Sequence, residues 1–94
     1  TKGRLINCVI TQCEWSGILS QGNALIELEG DQTKVDGNVT SGRGYGLYTS
    51  STSSAIHLLF PLTKESVSTN NNGGRNYGSL LGGTIKSVHT LAPL

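Results

Sequence analysis

The sequence predicts an all-β fold: a β-solenoid of about three coils of ~30–32 residues each, forming one repeat domain over residues 1–94. Three observations predict it. The chain repeats itself, its apolar residues fall in short clusters between turn residues, and no segment carries a helical stripe. Gly, Ser, Thr and Asn supply 41 of the 94 residues, and the hydrophobic share is 35%. Leu, Ile and Val are nonetheless spread along the whole chain, which argues against disorder. A turn-rich chain of this size has a small core and needs help to stay folded, from cross-links, metal or partner chains.

The repeat carries the argument. Residues 31–62 laid over 63–94 without a gap agree at eleven positions. "GRGYG" at 42–46 falls on "GRNYG" at 74–78, so Gly42, Arg43, Tyr45 and Gly46 answer Gly74, Arg75, Tyr77 and Gly78. Val35/Val67, Asn38/Asn70, Thr52/Thr84, His57/His89, Leu59/Leu91, Pro61/Pro93 and Leu62/Leu94 complete the set. The first 30 residues fit the same template more loosely, with Ile6 on Val35, Ile10 on Val39, Gly17 on Gly46, Ile18 on Leu47 and "ALIEL" on "AIHLL". The repeat units are therefore about 1–30, 31–62 and 63–94.

Within each unit three clusters read as strands, divided by Gly, Asn, Ser or Thr. They are "LINCVIT", "SGILS" and "ALIELE"; "KVDGNVT", "YGLYT" and "AIHLLF"; "SVST", "YGSLL" and "TIKSV". The longest helical candidate, residues 14–29, contains Gly17 and Gly22 and has no clean stripe. One coil cannot bury its apolar face alone. Stacked coils can, with hydrogen bonds running between coils at about 4.8 Å and equivalent residues in ladders. Recurring glycines then serve positive φ or close packing, and recurring asparagines serve left-handed turns and side-chain ladders. Three-strand leaves around a pseudo-threefold axis, a β-prism, would use three such units as well. The unequal first copy and the lack of a lectin sugar motif favour the solenoid.

"LINCVITQCEWSGILS" and "KVDGNVTSGRGYGLYT" share an apolar strand with Asn or Cys near its middle, a polar turn, then small–Gly–aliphatic. In this the chain resembles right-handed parallel β-helix proteins of the pectate-lyase-like class. Within that class its Ser, Thr, Gly and Asn content is most like phage tailspikes and tail fibres. The resemblance implies a segment of a longer fibre-like chain on a virion or otherwise extracellular, a homotrimer, and recognition of host surface polysaccharide. The apolar ends "HLLFPL" and "HTLAPL" are then the expected protomer contacts.

Composition narrows the partners. Net charge is +1 with 14% charged residues and no basic–aromatic interleaving, so nucleic acid is not expected. No apolar run of 18 residues exists, so no membrane-inserted helix is expected. Cys8 and Cys13 lie beyond bridging reach in an extended strand and are expected as free, mostly buried thiols.

The candidate ligand-binding residues are Arg43, Tyr45, Arg75 and Tyr77. Stacked one coil apart they would offer guanidinium groups to a sugar acid and ring faces to the sugar. The plainer reading is a solvated arginine at a turn edge beside a laterally packed tyrosine. His57 and His89 are the candidate metal ligands, but no Asp, Glu or Cys repeats with them, and no cofactor is expected. Glu27 and Glu29 share one strand face about 7 Å apart, which a glycosidase pair allows, and are the catalytic candidates. Nothing in the sequence separates their acidities, so a binding segment is favoured over a polysaccharide lyase or hydrolase fragment. A lectin-like or ice-binding repeat is the remaining reading; its Thr residues do not hold register across the units. "NVT" at 38–40 fits a glycosylation sequon.

Overall fold

The computed structural model describes residues 2–91. The chain is all-β apart from a single turn of helix. Its strands are β1 (Lys2–Ile6), β2 (Val9–Thr11), β3 (Ile18–Ser20), β4 (Leu25–Glu29), β5 (Lys34–Asp36), β6 (Leu47–Thr49), β7 (Ala55–Leu59), β8 (Ser68–Thr69), β9 (Tyr77–Ser79) and β10 (Thr84–Val88). The helical turn α1 is Lys64–Val67. Every cluster read as a strand contains one. "LINCVIT" contains parts of two, because Asn7 turns with φ +51° and breaks the run.

The strands form three parallel sheets. The first has the order β1-β4-β7-β10, the second β2-β5-β8 and the third β3-β6-β9. The chain thus visits the three sheets in turn, and each strand pairs with the strand three places on. A prism leaf would need the three strands of each unit to pair with one another; here six of the seven pairings join successive units, and β1–β4 joins the two ends of the first.

Inward positions follow from strand alternation. In β7, Ile56 and Leu58 are buried while Ala55, His57 and Leu59 face outward. Across the first sheet the inward rows are Ile26–Ile56–Ile85 and Leu5–Leu28–Leu58. Ile10 and Val35 come in from the second sheet and Ile18 and Leu47 from the third. The third sheet adds a row of hydroxyls, Ser20–Thr49–Ser79, in which Thr49 Oγ1 donates to Ser79 Oγ at 2.9 Å. Leu58 and Leu62 of "HLLFPL" belong to this core, so of that segment only Phe60 offers a large exposed apolar surface. Residues 92–94 of "HTLAPL", with the Pro61/Pro93 and Leu62/Leu94 matches, lie outside the described residues.

The pairing register departs from the constant 32-residue spacing. Val35 pairs with Ser68, Leu47 with Tyr77, and Ala55 with Thr84. The turns explain why. The connection from the first sheet to the second lengthens along the chain, from residues 7–8 to 30–33 to 60–67. The last of these holds α1, closed by a capping box in which Ser66 N donates to Thr63 Oγ1 and Thr63 N donates to Ser66 Oγ. Val67 is carried into the core by that turn. The looser match of the first copy holds at Gly17 on Gly46 and Ile18 on Leu47 and fails elsewhere. Ile10, not Ile6, pairs with Val35, and "ALIEL" slips by one so that Leu25 pairs with Ala55.

An asparagine ladder closes the corner after the second sheet. Asn71 Oδ1 accepts from Asn38 N at 2.9 Å and from Asn38 Nδ2 at 3.1 Å, and Asn38 Oδ1 accepts from Cys13 N at 3.0 Å. Both side chains are buried, and their remaining donors reach the carbonyls of Ile10 and Val35. The expected ladder therefore exists, with Asn71 rather than Asn70 beneath Asn38. Cys8 and Cys13 are free thiols, half-buried rather than mostly buried.

Candidate binding groove

The turns between the second and third sheets stack on one another and build a groove. The turn over residues 12–17 is pinned on the next by Val39 N donating to Trp15 O (3.0 Å) and Ser41 N donating to Glu14 O (2.9 Å). Gly44 has φ +94°, and a Cβ there would strike Ser16. A side chain would be strained by that backbone and would part the two turns. Ser16 Oγ accepts from Tyr45 N at 3.2 Å and joins them further.

The groove encloses about 420 Å³ between Trp15, Ser16, Leu19, Arg43, Gly44 and Tyr48. Trp15 is 62% exposed. A large indole left in water at the wall of a concavity is costly unless something covers it. Tyr48 stands outward on β6, directly opposite Leu19 of β3. Arg43 is exposed at the turn, and among the described residues its guanidinium makes no ion pair or hydrogen bond.

Tyr45 and Arg75 stand behind the groove. The Tyr45 ring packs against Tyr48 with centroids 5.1 Å apart and planes tilted by 59°. Arg75 lies over the Tyr45 ring at 5.4 Å, and its Nη1 donates to Gly44 O at 3.3 Å. Gly78 gives the ring its space, since a Cβ there would come 2.7 Å from it. The two "GR·YG" motifs therefore do not stack like on like. Arg75 lies on Tyr45, and Gly78 pairs with Tyr48.

Of the four sequence candidates, Arg43 lines the groove, and Tyr45 and Arg75 support its wall. Tyr77 belongs to another surface. It pairs with Leu47, carries Lys64 Nζ 4.8 Å from its ring centre, and donates from its hydroxyl to Glu65 Oε2 at 3.4 Å. Sequence reasoning missed Trp15, Leu19 and Tyr48. The available signal was Trp15 itself, the one tryptophan of the chain, in the turn that answers "GRGYG".

Of the other candidates, Glu27, Glu29 and His57 fall on the outer face of the first sheet. There Arg4, Glu27, His57 and Lys86 form one row across four strands. Glu27 is fully buried under cations: Arg4 Nη2 at 3.0 Å and Lys2 Nζ at 3.5 Å both reach Oε1. A carboxylate so enclosed balances charge in the sheet, and its oxygens are closed to a substrate. Glu29 lies two residues on, on the same face as expected, half-buried at the strand end.

His57 sits between Glu27 and Lys86. Burial holds its pKa below the ordinary 6.5; the Lys86 ammonium adds to this, and Glu27 pulls the other way. His89 is not its ladder neighbour. It lies against Phe60, with ring centres 5.1 Å apart. Among the described residues no group of three or more His, Cys, Asp or Glu is placed to hold a metal ion. No helix among them is long and apolar enough to cross a membrane. Compared with protein-family models, curated proteins and solved structures, the chain gives no match.

Proposed function

We propose that the chain is a β-solenoid segment that serves as a binding and structural element of a viral tail fibre or tailspike, contacting host surface polysaccharide through the Trp15 groove. The solenoid reading is supported by strands that pair three places on, in three parallel sheets. The fibre reading rests on the resemblance of the Ser-, Thr-, Gly- and Asn-rich repeat to tailspikes. The polysaccharide reading is carried by one observation: an exposed indole beside a tyrosine and an arginine in an open groove. Flat aromatic faces cover the apolar C–H faces of pyranose rings, while polar groups at the rim take the hydroxyls.

Trimerisation fits the same picture. Ile6, Val9, Leu80 and Leu81 leave large apolar side chains in water, and a chain of this size gains most from covering them. Light scattering tests the assembly: about three times 9.9 kDa is expected, and a stable monomer overturns the trimer. A glycan array tests the binding. Wild-type chain is expected to retain a subset of bacterial surface glycans and Trp15→Ala to lose it. A blank array, or a Trp15→Ala pattern identical to wild type, removes the groove from the function.

A further inference from the structure

The two arginines of the repeated motif differ in what they have left to give. Arg75 is engaged, over the Tyr45 ring and on the Gly44 carbonyl. Arg43 has no acceptor among the described residues, and it faces the same groove as Trp15. A guanidinium always carries its charge and presents paired N–H donors in a plane, a fork that matches a carboxylate. No acidic residue lines the groove to compete for it. The remaining walls, Leu19 and the rings of Trp15 and Tyr48, suit a ring face rather than a second charge.

Building on the polysaccharide reading above, we infer that the groove selects an acidic sugar, with a single uronic- or sialic-acid-type carboxylate on Arg43 and the sugar ring against Trp15. One carboxylate is taken per groove. The stacking residues are Trp15 and Tyr48, while Arg75 and Tyr45 hold Tyr48 in place and touch no ligand.

Trp15 is the only tryptophan, so intrinsic fluorescence reads the groove directly. The titrants are oligogalacturonate, hyaluronan oligomers and oligosialic acid, each beside its carboxyl-reduced neutral counterpart, at about 0.15 M salt to suppress non-specific attraction. At least one acid is expected to bind roughly tenfold or more tighter than its reduced form, the scale of one charge-assisted hydrogen-bond pair. In Arg43→Gln that ratio is expected to fall to about one. Lys86→Gln removes the same charge from another face and is expected to leave the ratio as in wild type. Equal binding of acid and reduced forms by the wild type, or loss of preference in Lys86→Gln alone, overturns the acid selectivity and leaves the polysaccharide reading standing. Failure of every acidic and neutral titrant to bind sinks both.

Discussion

Replacing Asn71 by alanine tests the register of the whole stack. Asn71 is fully buried, and its amide satisfies groups in two rounds of the chain. Its Oδ1 accepts from Asn38 N at 2.9 Å, and its Nδ2 donates to Val35 O at 3.1 Å and Ser68 Oγ at 3.0 Å. Alanine removes all of these at once. Ser68 Oγ keeps its bond to Asn76 O, and Asn38 Nδ2 keeps Ile10 O. The Asn38 amide and the Val35 carbonyl lose the bonds named above in a site closed to water. Each of the two orphaned groups costs about 1–3 kcal/mol, so the expected loss is roughly 2–6 kcal/mol. Against a total stability of about 5–15 kcal/mol this is severe. At about 5 °C per kcal/mol for a domain of this size, it corresponds to a Tm drop of roughly 10–30 °C.

The assay is urea and thermal unfolding followed by far-ultraviolet circular dichroism, with Asn70→Ala beside it. Asn70 is exposed, with φ +56°, and loses only the ease with which asparagine adopts that conformation, about 1 kcal/mol. Constant 32-residue spacing would put Asn70, not Asn71, beneath Asn38. If Asn70→Ala costs as much as Asn71→Ala, Asn71 is not the residue beneath Asn38.

Three further outcomes are expected. Gly78→Ala pushes a methyl into the Tyr45 ring and should cost about 1–3 kcal/mol with a changed near-ultraviolet tyrosine signal, whereas Gly74→Ala, which meets only open space, should change neither. Trp15→Ala should leave unfolding stability within about 0.5 kcal/mol, because the indole is mostly in water; a larger loss would mean that it packs rather than binds. For His57 the folded pKa lies below the unfolded value, so the unfolded chain takes up the proton first as pH falls. Its contribution is complete above pH 6.5 and drains away below it, down to the folded pKa. His57→Gln should flatten that part of the Tm–pH curve, and an unchanged curve refutes the assignment.

Much of the architecture is legible in the sequence because strand formation is local. Clusters such as "AIHLL" and "TIKSV" are β-prone and bounded by turn residues, and "AIHLL" alternates in and out with period two. The one-turn helix at Lys64–Val67 was not legible, since four residues carry no stripe. Its Thr63/Ser66 box does the work of a capping signal without the usual acidic third residue. The groove was half legible. Arg43 stood out by its repetition, whereas Trp15 and Tyr48 meet only because the 12–17 turn lies on the 37–46 turn, a contact made across a pairing between distant strands.

The sequence by itself determined the all-β class and the places of the strands along the chain, since each follows from which residues tolerate extended backbone and which must leave water. Only the tertiary structure decided which residue lies on which. Identity at a fixed spacing counts residues along the chain, but register is set by hydrogen bonds between strands, by which side chains reach the core, and by how many residues each turn absorbs. Turns of unequal length place Arg75 on Tyr45 and Asn71 under Asn38, and leave Arg43 free to face the groove.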